Sequence, residues 1–148
     1  MTLDTEVQSL RQVPMFRDID AARLKLLAFT SERVHFAPGQ KLFSQGDIGD
    51  SAYVILEGSI DVLLDSPKGG PPLKVAQLGR NALVGEMALV GDTPRSATNT
   101  AASEVIALRI DKRVFLELLT QFPQIALGVM REIAKRLELT NAQLAAQR

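Results

Sequence analysis

Glu86 and Arg95 stand nine residues apart within Gly85-Glu86-Met87-Ala88-Leu89-Val90-Gly91-Asp92-Thr93-Pro94-Arg95-Ser96-Ala97-Thr98, separated mainly by glycine, proline and small or apolar residues. Such a segment suits a sugar phosphate. The carboxylate accepts from ribose hydroxyls, the planar guanidinium presents a fork of donors to phosphate oxygens, and the small residues let backbone N–H groups approach. A short helix opening at Glu86 would aim its first unpaired N–H groups at the same anion. The residues alone allow a plainer alternative, with Glu86 in a helical first turn and Arg95 as its surface ion pair.

Other chemistries find little support. His35 is the only histidine, whereas a metal-dependent barrel needs several, so His35 reads as a structural or surface residue. There is no Ser-His-acid set and no Walker-type lysine loop. Glu57 and Asp61 read as solvated side chains rather than a catalytic pair. The absence of cysteine excludes disulfides, iron–sulfur clusters and thiolate zinc sites. Lysine plus arginine and aspartate plus glutamate number 17 each, so no broad field favours nucleic acid or anionic lipid. No apolar run reaches the ~18 residues of a membrane span. The acidic start, Asp4 and Glu6, is unlike a secretory signal, and the expected location is cytoplasmic.

Several elements must position the two charges. Leu3, Val7 and Leu10 recur at helical spacing before Pro14, and Asp20 can cap a second helix carrying Leu24, Leu27 and Ala28. Pro38 and Gly39 then switch the chain to strand patterning until about Ile110. Tyr53–Leu56 and Ser59–Leu64 are expected to pair as a hairpin around Glu57-Gly58. Residues 66–72, rich in proline and glycine, form a loop, and shorter strands follow near Leu73–Leu78, Ala97–Thr100 and Val105–Ile110. Many short strands favour an antiparallel sandwich or jelly roll. Asp111 caps a helix with Val114, Phe115, Leu118 and Leu119, and Phe122-Pro123 restarts it. On that last helix Met130, Ile133, Leu137, Thr140 and Leu144 fall on a heptad seam weakened by Thr140. The seam fits a helix packed on its own domain, a self-association helix, or a lid.

Gly85–Leu89 followed by Pro94–Thr98 resembles the phosphate-binding cassette of cyclic nucleotide-binding domains, the family of catabolite activator-type regulators, cyclic-AMP-dependent kinase regulatory subunits and cyclic-nucleotide-gated channels. Phe36–Asp47 and Tyr53–Val62 look like its glycine-punctuated strands, and the resemblance covers about residues 10 to 140. It implies a mainly β fold with flanking α-helices: an antiparallel β jelly-roll barrel at 36–110, with the cassette at 84–98. N-terminal helices at 1–35 and C-terminal lid or dimerisation helices at 111–148 complete a single domain.

By position, Arg95 would pair with the cyclic phosphate and Glu86 would accept from the ribose 2′-hydroxyl. N–H groups around Met87, Ala88 and Ala97 would complete the phosphate shell. Gly85 and Ala88 would permit close approach, Ser96 would contact phosphate or base, and Leu83 and Val84 would form the pocket wall. Val84 departs from the aromatic or isoleucine of many members, which bears on affinity. Ser96 followed by Ala97-Thr98 leans towards cyclic AMP over cyclic GMP. The implied partners are the nucleotide, an unidentified protein effector and a second copy through the C-terminal helix, with no nucleic acid, no cofactor and no enzymatic activity. Three contexts fit: a stand-alone sensor, a sensor domain of a longer channel, kinase or transporter, or a regulator relative that has lost its DNA-binding part.

Overall fold

The structure, a computed structural model, describes residues 3–146; the side chains of 132, 136, 137 and 139–146 lie outside the description. Helix α1 (Leu3–Gln12) carries Asp4 and Glu6 in its first turn and Arg11 in its last, as its dipole favours. Pro14 ends it and opens a 3-10 turn, Pro14–Phe16. Helix α2 (Ala21–Thr30) is capped by Asp20, which accepts from the Arg23 N–H at 2.9 Å.

Eight strands follow: β1 (Glu32–Phe36), β2 (Lys41–Phe43), β3 (Ser51–Glu57), β4 (Ile60–Leu64), β5 (Leu73–Leu78), β6 (Leu83–Val84), β7 (Thr98–Ala101) and β8 (Val105–Asp111). A six-residue helix, α3 (Glu86–Gly91), lies between β6 and β7. The chain then enters α4 (Lys112–Gln121), capped by Asp111, and α5 (Pro123–Ala146). The strands form two four-stranded sheets, β1-β8-β3-β6 and β2-β7-β4-β5, every pairing antiparallel. This is the jelly-roll arrangement with flanking helices. Its sheets remain separate among the described residues and do not close into a continuous barrel.

Strand β3 shows why one sheet is wholly covered. Its alternate residues Ala52, Val54 and Leu56 face a helical layer built from Leu10, Phe16, Leu24, Phe115 and Ile125. Tyr53 and Ile55 face inward with Leu42, Ile60, Val84 and Val105. A period of two thus serves two apolar layers, and every residue from Ser51 to Leu56 is buried.

Two expectations are corrected. Tyr53–Leu56 and Ser59–Leu64 are not a hairpin: β3 pairs with β6 and β8, whereas β4 pairs with β5 and β7. Gly58 carries the chain from one sheet to the other at φ 90°, and a Cβ there would overlap the Glu104 carbonyl oxygen. A two-residue glycine turn specifies a reversal but not its pairing partner. The sheet region also begins at Glu32 rather than Phe36, because β1 is an edge strand whose Glu32, Arg33 and His35 mask the apolar alternation. Elsewhere the expected elements appear within a few residues, including the 66–72 loop and the break at Phe122-Pro123.

Candidate functional site

Arg95 organises the site. Its backbone is pinned to the loop after β2, with its N–H donating to Asp47 O at 2.8 Å and its carbonyl accepting from the Gly46 N–H at 2.8 Å. Its side chain is only 3% exposed. Nη1 donates to the Gly85 carbonyl at 2.7 Å and Nη2 to the Ser51 carbonyl at 2.6 Å. Cζ lies 4.0 Å from the centroid of the Phe43 ring, a cation–π contact. Two glycines make room for this packing. A Cβ at Gly85, whose φ is 83°, would come within 2.6 Å of Nη1, and one at Gly49 would meet the Ala88 Cβ at 2.6 Å.

The charge is poorly matched by its surroundings. Nη2 is 4.0 Å from Asp50 Oδ1, but that carboxylate is largely exposed and also pairs with Arg109 at 3.2 Å. Nε has no hydrogen-bond partner among the described residues. Burial pushes the Arg95 pKa down, and Tyr53, Asp50 and Asp47 only partly oppose it. A guanidinium stays protonated at any physiological pH regardless. The fold therefore holds a desolvated cation on two neutral carbonyls and a ring, an arrangement that gains from an arriving anion.

Beside it lies a cleft of about 90 Å³ lined by Leu83, Val84, Gly85, Met87, Ala88, Arg95, Ser96 and Ala97, together with Phe43, Val62, Leu78 and Asn99. All the residues singled out from the sequence except Glu86 meet there. Glu86 opens α3 and is 2% exposed, but it faces an adjoining cavity of about 650 Å³. That cavity also touches Met15, Gln124, Leu127, Gly128 and Arg131, and Leu78 and Leu83 line both spaces. The two charges of the segment thus lie on either side of a leucine wall. Arg95 also does not make the surface ion pair that the plainer reading expected: it is buried and its fork is spent on carbonyls.

Sequence reasoning assigned no role to Phe43, Gly49, Asp50, Ser51 or Asn99. Gly46-Asp47-Ile48-Gly49-Asp50, with two Gly–Asp steps flanking Ile48, is the signal in the sequence for the loop that packs around Arg95. His35 is exposed, 3.9 Å from Glu104, and no group of metal-ligating residues exists among those described.

The sequence profile described as "Cyclic nucleotide-binding domain" matches residues 33–122. The chain belongs to that family. This cyclic nucleotide-binding domain is 26% identical over 136 residues to the CRP-like cAMP-activated global transcriptional regulator of Mycobacterium tuberculosis, covering 92% of the chain and 60% of the relative. It is 34% identical over 110 residues to the cAMP-dependent protein kinase regulatory subunit of Mucor circinelloides f. lusitanicus, covering 74% of the chain and 25% of the relative. Among solved structures it resembles the N-terminal domain of a transcriptional regulator from Streptomyces coelicolor A3(2), with a TM-score of 0.71 and 34% identity over 90% of the chain and 95% of that one. The domain therefore spans less than two-thirds of the regulator and a quarter of the kinase subunit that it matches.

Proposed function

We propose that this domain is a sensor that binds cyclic AMP in preference to cyclic GMP and passes the binding event to α5. The observation that carries the reading is the buried Arg95 guanidinium, opening onto a cleft built from the cassette. Arg95 would hold the cyclic phosphate, with N–H groups of Met87, Ala88 and Ala97 completing its shell and Ser96 beside it. Glu86 would accept from the ribose.

The size of the cleft supports a conformational response. About 90 Å³ falls below the roughly 300 Å³ at the small end of ligand sites. A nucleotide touching both Arg95 and Glu86 has to displace the Leu78–Leu83 wall and join the cleft to the cavity that α5 borders. Gln124, Leu127, Gly128 and Arg131 lie on that border, so entry of the ligand perturbs the first turns of α5. The ligand shifts α5 only by its differential affinity for the two arrangements.

The outer face of α5 supports an effector or a second copy as the recipient. Ile125 and Val129 are buried against the domain, whereas Met130 and Ile133, away from the cavity, are exposed. Coverage of its relatives favours a second reading of context, in which this domain is the sensing part of a longer regulator; the surrounding reading frame decides between the two. The domain acts by binding and is not an enzyme, so cyclic AMP incubated with it stays intact, as chromatography of the nucleotide checks. No helix among the described residues is long and apolar enough to cross a membrane.

Calorimetric titration with cyclic AMP, cyclic GMP and cyclic di-GMP tests the proposal. Cyclic AMP should bind most tightly and cyclic di-GMP not at all. A folded protein that takes up neither mononucleotide would sink the reading.

A further inference from the structure

Asn99 places a polar amide on the wall of the cleft. It is 4% exposed on β7, and its side chain makes no hydrogen bond among the described residues. Strand register fixes where it points. Asn99 stands opposite Phe43 of β2 and opposite Val62 of β4, and residues directly opposite one another project from the same face. Phe43, Val62 and Asn99 all line the cleft.

Its neighbour in sequence behaves differently. The Thr98 hydroxyl, on the opposite face, accepts from the Gln45 N–H at 2.8 Å and so has a structural partner. The Asn99 amide instead meets the cleft without a protein partner, at a position where a strand interior favours a β-branched apolar residue. Val62, Leu78, Leu83 and Val84 supply apolar lining around it.

Asn99 lies four residues beyond Arg95, so at most ~13 Å of chain separates them. A ligand anchored by its anion at Arg95 extends along β7 into this apolar part of the cleft. A planar heterocycle suits those walls, and an amide carries both a donor and an acceptor to match its polar edge.

We propose that Asn99 reads the hydrogen-bonding edge of the nucleobase, which makes it a specificity-determining residue of the site. This rests on the cyclic nucleotide reading and adds to it the residue that selects the base. Ser96 remains at the phosphate end.

The test compares cyclic AMP, cyclic GMP and purine riboside 3′,5′-cyclic monophosphate, which lacks the exocyclic amine, on wild type, Asn99→Val and Asn99→Asp. Wild type should prefer cyclic AMP over the purine riboside analogue by about tenfold, the worth of one hydrogen bond. Asn99→Val should lose that preference while binding the analogue as wild type does. Asn99→Asp keeps the shape but replaces the donor, and should change the ratio of cyclic AMP to cyclic GMP by a similar factor. Thermal denaturation establishes that each variant is folded, and Asn99→Asp decides the matter should Asn99→Val fail to fold. Unchanged ratios in the variants, with cyclic AMP still bound, would mean that the amide is merely hydrated, overturning the role of Asn99 alone. Wild type binding none of the three would overturn this inference and the proposed function together.

Discussion

Arg95 and Glu86 are both almost wholly buried, yet the protein holds them in different ways. Arg95 is fixed by neutral groups from separate parts of the chain: the carbonyls of Ser51 at the start of β3 and Gly85 after β6, and the ring of Phe43 on β2. It belongs to the strand framework. Glu86 opens a short helix whose Leu89 packs into the layer formed by α1, α2, α4 and the start of α5, and its own side chain borders the α5 cavity. It belongs to the helical side. The difference teaches that, on the proposed function, anion recognition would be preorganised in the sheets, while the second charge would be coupled to the helix that borders its cavity. Preorganised donors bind without first having to be ordered, whereas a coupled group transmits.

Removing either charge breaks the comparison most directly. Arg95→Ala should weaken cyclic AMP binding by about 2–5 kcal/mol, tens-fold to thousands-fold, because the phosphate loses its charged partner. Calorimetry reads this, and unchanged affinity would remove Arg95 from the site. Glu86→Ala should cost about 1.5–3 kcal/mol, as expected for a charge-assisted hydrogen bond. It should also reduce the change in α5 on binding, followed by amide hydrogen exchange over residues 123–133. An equal loss of affinity with an unaltered exchange response would erase the distinction between the two residues.

Smaller changes sharpen it. Gly85→Ala forces a side chain into a left-handed backbone and against Nη1 of Arg95, and should cost about 1–3 kcal/mol of stability in a denaturant titration. A saturating ligand, at about 100 times its dissociation constant, should raise wild-type stability by about 2.7 kcal/mol in the same assay. Met130→Gln on the exposed face of α5 should change monomer stability by no more than about 0.5 kcal/mol. Light scattering of that variant against wild type, with and without cyclic AMP, then shows whether the face joins two copies.

Much of this was readable in one dimension. Asp20 and Asp111 cap the helices they were expected to cap, Pro14 and Pro123 set helix boundaries, and the spacing of Phe115 and Leu118 marks the buried face of α4. These are local effects, carried by neighbours within a turn or two. The reversal at Gly58 was equally legible, but its pairing was not, since register between distant strands depends on which face each one buries. Of the seam on α5, Met130 and Ile133 are exposed, while the side chains of Leu137, Thr140 and Leu144 lie outside the described residues.

The candidate site divides in the same way. The sequence by itself determined the cassette: a carboxylate, a guanidinium and the small residues between them, in an order resembling that of a known family. Only the tertiary structure decided that Arg95 is buried on two carbonyls, that Glu86 looks past a leucine wall towards α5, and that Asn99 lies across from Phe43 and Val62 with its amide unspent. Spacing along the chain sets which residues are near in sequence. Whether a charge is matched, and which cavity it faces, depends on groups brought together from β2, β3, β6 and β7 by the packing of two sheets.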